Sequence, residues 1–127
     1  MISALFDQPN YAAAKKLLDA TVLRHEAIAS NLANVETPGY KRIDVAPAFK
    51  DELQRALSSQ STSKISNLKP QLMLDDNAVV QGRDGNTVQL ENELLQLSKN
   101  FTAHAVETQL ITSGMQRLRL AISGRNS

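Results

Sequence analysis

A heptad pattern in the last third of the chain restricts the possible folds more than any other feature of the sequence. From Leu90 onward, large apolar residues recur at seven-residue spacing in two interleaved series that continue to Ile122. This spacing predicts one long helix whose apolar stripe packs against a partner helix. The residues that we assign to this stripe, called the seam, are Leu90, Leu94, Leu97, Phe101, Ile111, Met115, Leu118 and Ile122.

Turn and capping residues predict where this helix begins and ends. Residues 84–86 read Asp-Gly-Asn, which is typical of a turn. Asn86, followed three residues later by Gln89, matches a capping box at the start of a helix. Gly124 predicts the C-terminal end. We therefore assign residues 86–127 to a C-terminal helical region.

A thinner apolar stripe predicts a second helix near the start of the chain. Pro9 opens a helical pattern, as proline often does in the first turn of a helix. Leu18, Ile28 and Leu32 belong to this stripe, which alanine, threonine and histidine dilute. We assign residues 1–35 to an N-terminal helical region and expect these three side chains to pack against the seam.

The connector at residues 36–85 differs in kind from both helices. Its polar run at residues 58–67 predicts a mobile loop, whereas residues 50–57 are compatible with two helical turns. Residues 72–80 contain two short apolar pairs around a turn signal at residues 76–77, which favours a short β-hairpin. The connector is poor in large apolar residues, so we expect it to cover neither helix.

Together these patterns predict a mainly α fold. Long N- and C-terminal helices pair as a coiled-coil-like hairpin, and the segment that joins them is largely irregular and partly mobile, with one candidate β-hairpin. Isolated helices of this kind are marginally stable. Because the connector leaves their apolar stripes uncovered, the helices must pair with each other, with neighbouring subunits, or with both.

Composition excludes several classes of function. A net charge of +1 gives no electrostatic attraction to nucleic acid or to an anionic membrane surface. The lack of cysteine excludes disulfides, thiolate zinc sites and cysteine nucleophiles. No apolar segment reaches the length of a membrane span, and the first residues do not resemble a cleaved secretory signal.

No constellation of residues predicts an enzyme, a cofactor site or a metal site. His25 and His104 both fall on stripe positions, and in an antiparallel helix pair we expect them at different levels and out of mutual contact. The adjacent carboxylates at residues 51–52 and 75–76 diverge on a helix and alternate on a strand, so neither pair forms a dyad. We therefore predict no catalytic, cofactor-binding or metal-binding residues.

The joint that ends the first helix is specified in detail. In Thr37-Pro38-Gly39-Tyr40, proline presets φ at the second position of a type II turn, and glycine supplies the positive φ required at the third. The Asn34 side chain can bond to the free backbone groups at the helix end. The sequence thus predicts a defined change of chain direction at this joint.

The joint lies within ASNLANVETPGYKR at residues 29–42, which resembles the signature of bacterial flagellar axial proteins of the rod and hook. A second stretch, DGNTVQLENEL at residues 84–94, resembles the opening of the C-terminal helix in the B-type members, which belong to the proximal rod. Gln89 stands where an acidic residue is expected. The residues that match the signature are Asn31, Leu32, Asn34, Thr37, Pro38, Gly39 and Tyr40.

The resemblance implies a structural, non-enzymatic subunit of the proximal rod, the drive shaft of the flagellar basal body in the periplasmic space. The implied partners are other rod subunits, the basal ring or adaptor protein and the flagellar export gate, without nucleic acid or membrane insertion. Export would follow the flagellar type III route without a cleaved signal peptide. Phe49 and Leu53 resemble the export-gate docking motif, and ordinary helix packing explains the same i, i+4 spacing equally well.

Two alternatives stay open from the sequence. One is the C-type proximal rod subunit of the same family, which the stretch at residues 84–88 disfavours. The other is an adaptor module, a helical hairpin that holds one partner helix in its groove. An adaptor forms a closed complex of fixed small number, whereas a rod subunit joins an open array, so stoichiometry separates the two.

Overall fold

The computed structural model of the protein describes residues 8–80 and 82–125. The elements in chain order are α1 (Gln8–Ala33), β1 (Ile43–Val45), α2 (Ala48–Ser58), α3 (Thr62–Asn67), β2 (Leu72–Leu74) and α4 (Leu90–Arg125). The prediction of a mainly α fold with long N- and C-terminal helices is confirmed.

The two long helices form the antiparallel pair that the sequence predicts. Near the joint, Asn31 of α1 lies 3.3 Å from Glu93 at the start of α4. Farther along, the amide nitrogen of Asn100 donates to the Thr21 carbonyl at 2.9 Å. Moving along α4 from Glu93 to Asn100 thus corresponds to moving back along α1 from Asn31 to Thr21, so the two helices run antiparallel. Gly124, predicted to end the C-terminal helix, lies within α4.

The polar run at residues 58–67 ends α2 and forms α3, so the prediction of a mobile loop is wrong. Ser61 caps α3 by accepting a hydrogen bond at Oγ from the backbone N–H of Lys64 at 3.2 Å. Ile65 is fully buried. Burial of this one large apolar side chain stabilises the packing of α3 on the rest of the protein, even though the neighbouring residues in sequence are polar.

The middle segment covers one face of α1, contrary to the expectation that it covers neither helix. Buried side chains from β1, α2 and α3 pack on two alanines of α1, whose small side chains let the layers approach closely. Ala13 and Ala20, which lie beside the apolar stripe rather than in it, thus form the floor of a core. Its buried members are Ala13, Ala20, Val45, Phe49, Leu53, Ala56 and Ile65.

The short sheet joins distant parts of the connector. β2 pairs antiparallel with β1, with Val45 opposite Leu72, and the predicted hairpin of β2 with residues 79–80 is wrong. The expected turn after β2 is present, because the Asn77 backbone N–H donates to the Asp75 carboxylate at 3.0 Å. Ala46 extends the ladder beyond β1 by donating to Gln71 O at 2.8 Å. This long-range pairing gives no local signal in the sequence.

The predicted helix-pairing residues divide between buried and exposed positions. On α1, Ile28 is fully buried, and Leu18 and Leu32 are partly buried. On α4, Leu97 and Ile111 are partly buried. The Leu118 side chain lies outside the described part of the structure. Phe101 is largely exposed but its ring meets that of His25 on α1. The other described seam residues are exposed, which contradicts their assignment to the contact with α1: Leu90, Leu94, Met115 and Ile122.

Candidate functional site: the joint and the outer faces of the last helix

The turn after α1 has the geometry that the sequence predicts. Gly39 has a φ of 73°, in the left-handed region that glycine tolerates best. The Tyr40 N–H donates to the Thr37 carbonyl at 3.2 Å and closes the turn. The Gly39 N–H donates to the Asp84 carbonyl at 2.7 Å, which ties the turn to the segment that leads into α4. The turn is therefore fixed from both sides.

Asn31 is the centre of the joint and is fully buried. Its Oδ1 accepts from the Ile43 N–H at 3.0 Å and from the Tyr40 hydroxyl at 3.1 Å. Its Nδ2 donates to the Ile43 carbonyl at 2.8 Å and lies 3.3 Å from Glu93 Oε2. One side chain thus holds α1, the turn, β1 and α4 together.

Asn86 terminates α1, although the sequence predicts it as the N-cap of the C-terminal helix. Its Nδ2 lies within hydrogen-bonding distance of the carbonyls of Asn34, Val35 and Thr37, at 2.9, 3.1 and 2.8 Å. The predicted cap is wrong because α4 begins only at Leu90. These carbonyls follow the last turn of α1, where no helical N–H is available to them. The partner lies 49 to 52 residues away in sequence, which a local pattern cannot reveal.

Asn34 has the local role that the sequence predicts. Its Nδ2 donates to the Ser30 carbonyl at 2.9 Å, and its Oδ1 accepts from the Thr37 hydroxyl at 3.0 Å. The Ser30 and Tyr40 hydroxyls lie 3.0 Å apart and link the last turn of α1 to the turn residue. The signature residues therefore act as one hydrogen-bonded unit.

A partly buried ion-pair network lies beside Asn31. Arg42 pairs with the fully buried carboxylate of Glu93 and, through NH1, with Asp44 at 3.0 Å and Asp75 at 2.8 Å. Burial of the guanidinium works to lower the pKa of Arg42, but hydrogen bonds to Glu93 and Asp44 outweigh it and raise that pKa above its ordinary value. The Arg42 side chain stays charged and neutralises Glu93. Sequence reasoning missed this network.

The face of α4 that contacts α1 is polar. Glu93, Asn100, Glu107 and Gly114 recur at seven-residue spacing and are buried or partly buried; we call them the polar ladder. The Thr21 hydroxyl lies 2.7 Å from Glu107 Oε1, and Asn100 donates to the Thr21 carbonyl. Buried polar groups need such partners, and α1 supplies them. This requirement turns the ladder toward α1, while Leu97 and Ile111 are partly buried beside it and the other described seam residues stay largely exposed.

The rest of α4 presents two apolar stripes to solvent. At about 100° per residue, the two stripes lie on the order of 150° apart around the helix axis. All nine of their side chains are between 46% and 72% exposed. The flank stripe comprises Leu90, Leu94, Phe101, Met115 and Ile122. The far stripe comprises Leu95, Val106, Leu110 and Leu120.

His25 and His104 both line one cavity between α1 and α4, and the expectation that they make no mutual contact stays a prediction. The register set by the polar ladder brings them to the same pocket. The cavity, called the histidine pocket, has a volume of about 230 Å³. The His25 and Phe101 ring centroids lie 5.4 Å apart in an edge-on arrangement. The lining residues are Thr21, Val22, His25, Asn100, Phe101 and His104.

Other sequence-predicted positions lie away from these surfaces. Phe49 and Leu53, the candidate docking pair, are each only 5% exposed and belong to the core against α1. In the part of the chain that the structure covers, no cluster of three or more histidine or acidic side chains could hold a metal ion. None of the helices described is both long and apolar enough to cross a membrane.

Comparisons with known proteins give a consistent result. The family model of the flagella basal body rod protein matches residues 18–41, which contain the end of α1 and the joint. The flagellar basal body rod protein FlgB of Aquifex aeolicus is 31% identical over 114 residues, covering 87% of this chain and 90% of that protein. FlgB of Borrelia hermsii is 29% identical over 127 residues, covering 86% and 92%. FlgB of Escherichia coli is 25% identical over 126 residues, covering 88% and 91%.

Proposed function

This chain belongs to the family of flagellar basal body rod proteins named FlgB, and from that premise we propose how its helices build the proximal rod. The protein is a structural subunit of the flagellar basal body. In our proposal its role is mechanical and non-enzymatic: α4 packs against helices of neighbouring axial subunits, and the joint fixes the direction in which the connector leaves them.

The observation that carries this proposal is the pair of apolar stripes on α4. The middle segment covers α1, whereas α4 keeps its large apolar residues in water. Apolar patches of this size mark protein interfaces in soluble chains. Because the two stripes point in different directions, a single partner cannot cover both. Contacts on two sides of one helix generate an open, head-to-tail array if they repeat from copy to copy.

The joint supports the same proposal. A helical array keeps its register only if each copy presents its helices and connector at one angle. Asn31, Asn86 and Arg42 link the end of α1 to β1, the turn and the start of α4. A joint tied by buried hydrogen bonds and ion pairs does not hinge freely, because each broken contact leaves a buried polar group unpaired. The joint is therefore suited to transmit torque without changing angle.

We also infer the partners and location from family membership. The neighbours are other rod subunits and the basal ring or adaptor protein, and the location is the rod within the periplasmic space. Delivery is by flagellar type III export of the unfolded chain without a cleaved signal peptide. A chain whose last helix covers its apolar stripes only on assembly suits that route, because an unfolded chain must pass through the growing structure before it folds.

The export gate is the remaining proposed partner, and Phe49 and Leu53 are its candidate contacts. Because both side chains are buried in the folded chain, docking requires the unfolded chain. Leu53→Ala and Ile65→Ala remove apolar volume from the same core, and each is expected to lower the free energy of unfolding by about 3 kcal/mol. Only Leu53→Ala should reduce the amount of chain secreted in an export assay. Equal secretion of the two variants means that Phe49 and Leu53 serve packing alone.

Imaging of basal bodies tests the proposed function directly. A strain that lacks this gene should assemble no complete rod, and a tagged copy should restore rods and carry the tag at their membrane-proximal end. The competing adaptor function predicts a closed complex of fixed small stoichiometry and no tag on purified rods. A tag found only in such a complex contradicts the rod assignment.

A further inference from the structure

The histidine pocket contains a buried hydrogen-bond acceptor with no partner. Asn100 is 5% exposed, and its Nδ2 donates to the Thr21 carbonyl. Its Oδ1 is buried and has no hydrogen-bond partner among the residues that the structure describes. Nearly all buried polar atoms in native proteins are paired with protein groups or ordered water, so this acceptor is open to a further donor. Asn100 lines the pocket, and a donor that a second molecule places there is in reach of its side chain.

The other groups around the pocket define the chemistry of that donor. His25 and His104 carry imidazole nitrogens that can accept a hydrogen bond, and the Phe101 ring offers an aromatic surface to a cation. The carboxylate of Glu107 lies next to the pocket through its contact with Thr21. A cationic side chain with an aliphatic stem suits this pocket, because it can donate to the acceptors, contact the Phe101 ring and lie near the Glu107 carboxylate. Arginine and lysine side chains fit this description.

Arg119 of α4 is a cation in the right place to enter such a pocket on another copy. It follows Phe101 by eighteen residues, which is about five helical turns, so it lies on the flank stripe. Its side chain is exposed, and it takes part in none of the ion pairs found in the described residues. The flank stripe therefore carries one unpaired cation among apolar residues, and the pocket beside it carries one unpaired acceptor.

We propose that the histidine pocket of one copy receives the Arg119 guanidinium of a second copy when their flank stripes pack together. This inference rests on the proposed rod function, because it supplies one contact of that assembly. The same copy cannot supply the arginine. His104 and Arg119 are fifteen residues apart on one straight helix, so they lie about 22 Å apart along its axis. The axial offset between two packed copies is set by this distance between His104 and Arg119.

Cysteine cross-linking tests the contact without background, because the chain has no native cysteine. Cells would produce a tagged His104→Cys chain together with an untagged Arg119→Cys chain, and isolated basal bodies would be treated with a short bismaleimide. We expect a product that joins one tagged and one untagged chain. Lys99→Cys paired with Arg119→Cys is the matched control, because Lys99 is exposed on the opposite side of α4 from Phe101. The yield from the His104 position should exceed this control at least tenfold.

The outcomes separate this proposal from the rod function. Equal yields from the two cysteine pairs overturn the proposal. If rods still assemble in that case, the rod function stands while the pocket contact fails. As an independent readout, Arg119→Gln should reduce swimming and Arg119→Lys should restore most of it. Since Arg119 is exposed in the single chain, both variants should keep the wild-type helical circular dichroism. Full swimming of Arg119→Gln also overturns the proposal.

Discussion

Replacing Asn31 with alanine is expected to lower the free energy of unfolding by about 4 kcal/mol, because four hydrogen bonds of roughly 1 kcal/mol each are lost. The side chain is fully buried and joins Tyr40, Ile43 and Glu93 to α1. Its removal leaves the Ile43 amide group and the Glu93 carboxylate short of partners inside the fold. Urea unfolding followed by circular dichroism measures the loss. Because the joint angle is no longer fixed, we also expect swimming to be abolished.

Asn92→Ala is the control for this variant. Asn92 is an exposed asparagine one residue before Glu93, and its side chain donates to the partly buried Gln89 side chain at 3.0 Å. Its replacement should change the free energy of unfolding by less than about 0.5 kcal/mol and leave swimming intact. If Asn31→Ala is no more destabilising than Asn92→Ala, the hydrogen bonds described at the joint do not hold it together.

Leu110→Asp is expected to abolish rod assembly while leaving the single chain folded. Leu110 is 57% exposed on the far stripe, so a carboxylate there stays in water in the isolated chain. In the assembled rod the same carboxylate is buried in an apolar contact, at a cost of about 3 kcal/mol or more. A loss of that size weakens each contact by about a hundredfold, since 1.4 kcal/mol corresponds to tenfold. Thermal unfolding of the purified chain and swimming in soft agar measure the two effects.

The matched control is Ser98→Asp, which places the same charge on an exposed position of α4 between the two stripes. It should neither unfold the chain nor stop swimming. Normal swimming by Leu110→Asp contradicts the assignment of the far stripe to a subunit contact. A large drop in melting temperature for Leu110→Asp would instead show that the stripe is buried within the isolated chain.

Local features of the site could be predicted because their physical causes lie within a few residues. The positive φ at Gly39 follows from the turn type, and the bonds of Asn34 reach only Ser30 and Thr37. The heptad spacing of α4 needs no tertiary information either, because it reflects the 3.6-residue period of any amphipathic helix. The antiparallel pairing of the long helices followed from the same pattern.

Other features depended on partners that are distant in sequence. The role of Asn86 was misassigned because its acceptors lie at the end of α1, and the β1 partner of β2 was missed for the same reason. Ile65 is one apolar residue in a polar run, so its burial becomes visible only when α2 and α1 are in place. A single sequence carries no direct record of such contacts.

By itself, the sequence determined that this protein has two long amphipathic helices and a fixed turn between them, because both depend on short-range geometry. Only the tertiary structure decided which face of α4 meets α1. The heptad pattern of α4 contains two overlapping series of residues, the apolar seam and the polar ladder. The heptad spacing alone allows either series to face α1. Asn31 and the polar groups around Thr21 select the polar series, because Glu93, Asn100 and Glu107 find their hydrogen-bond partners there. The apolar series is left outside, where other subunits can cover it.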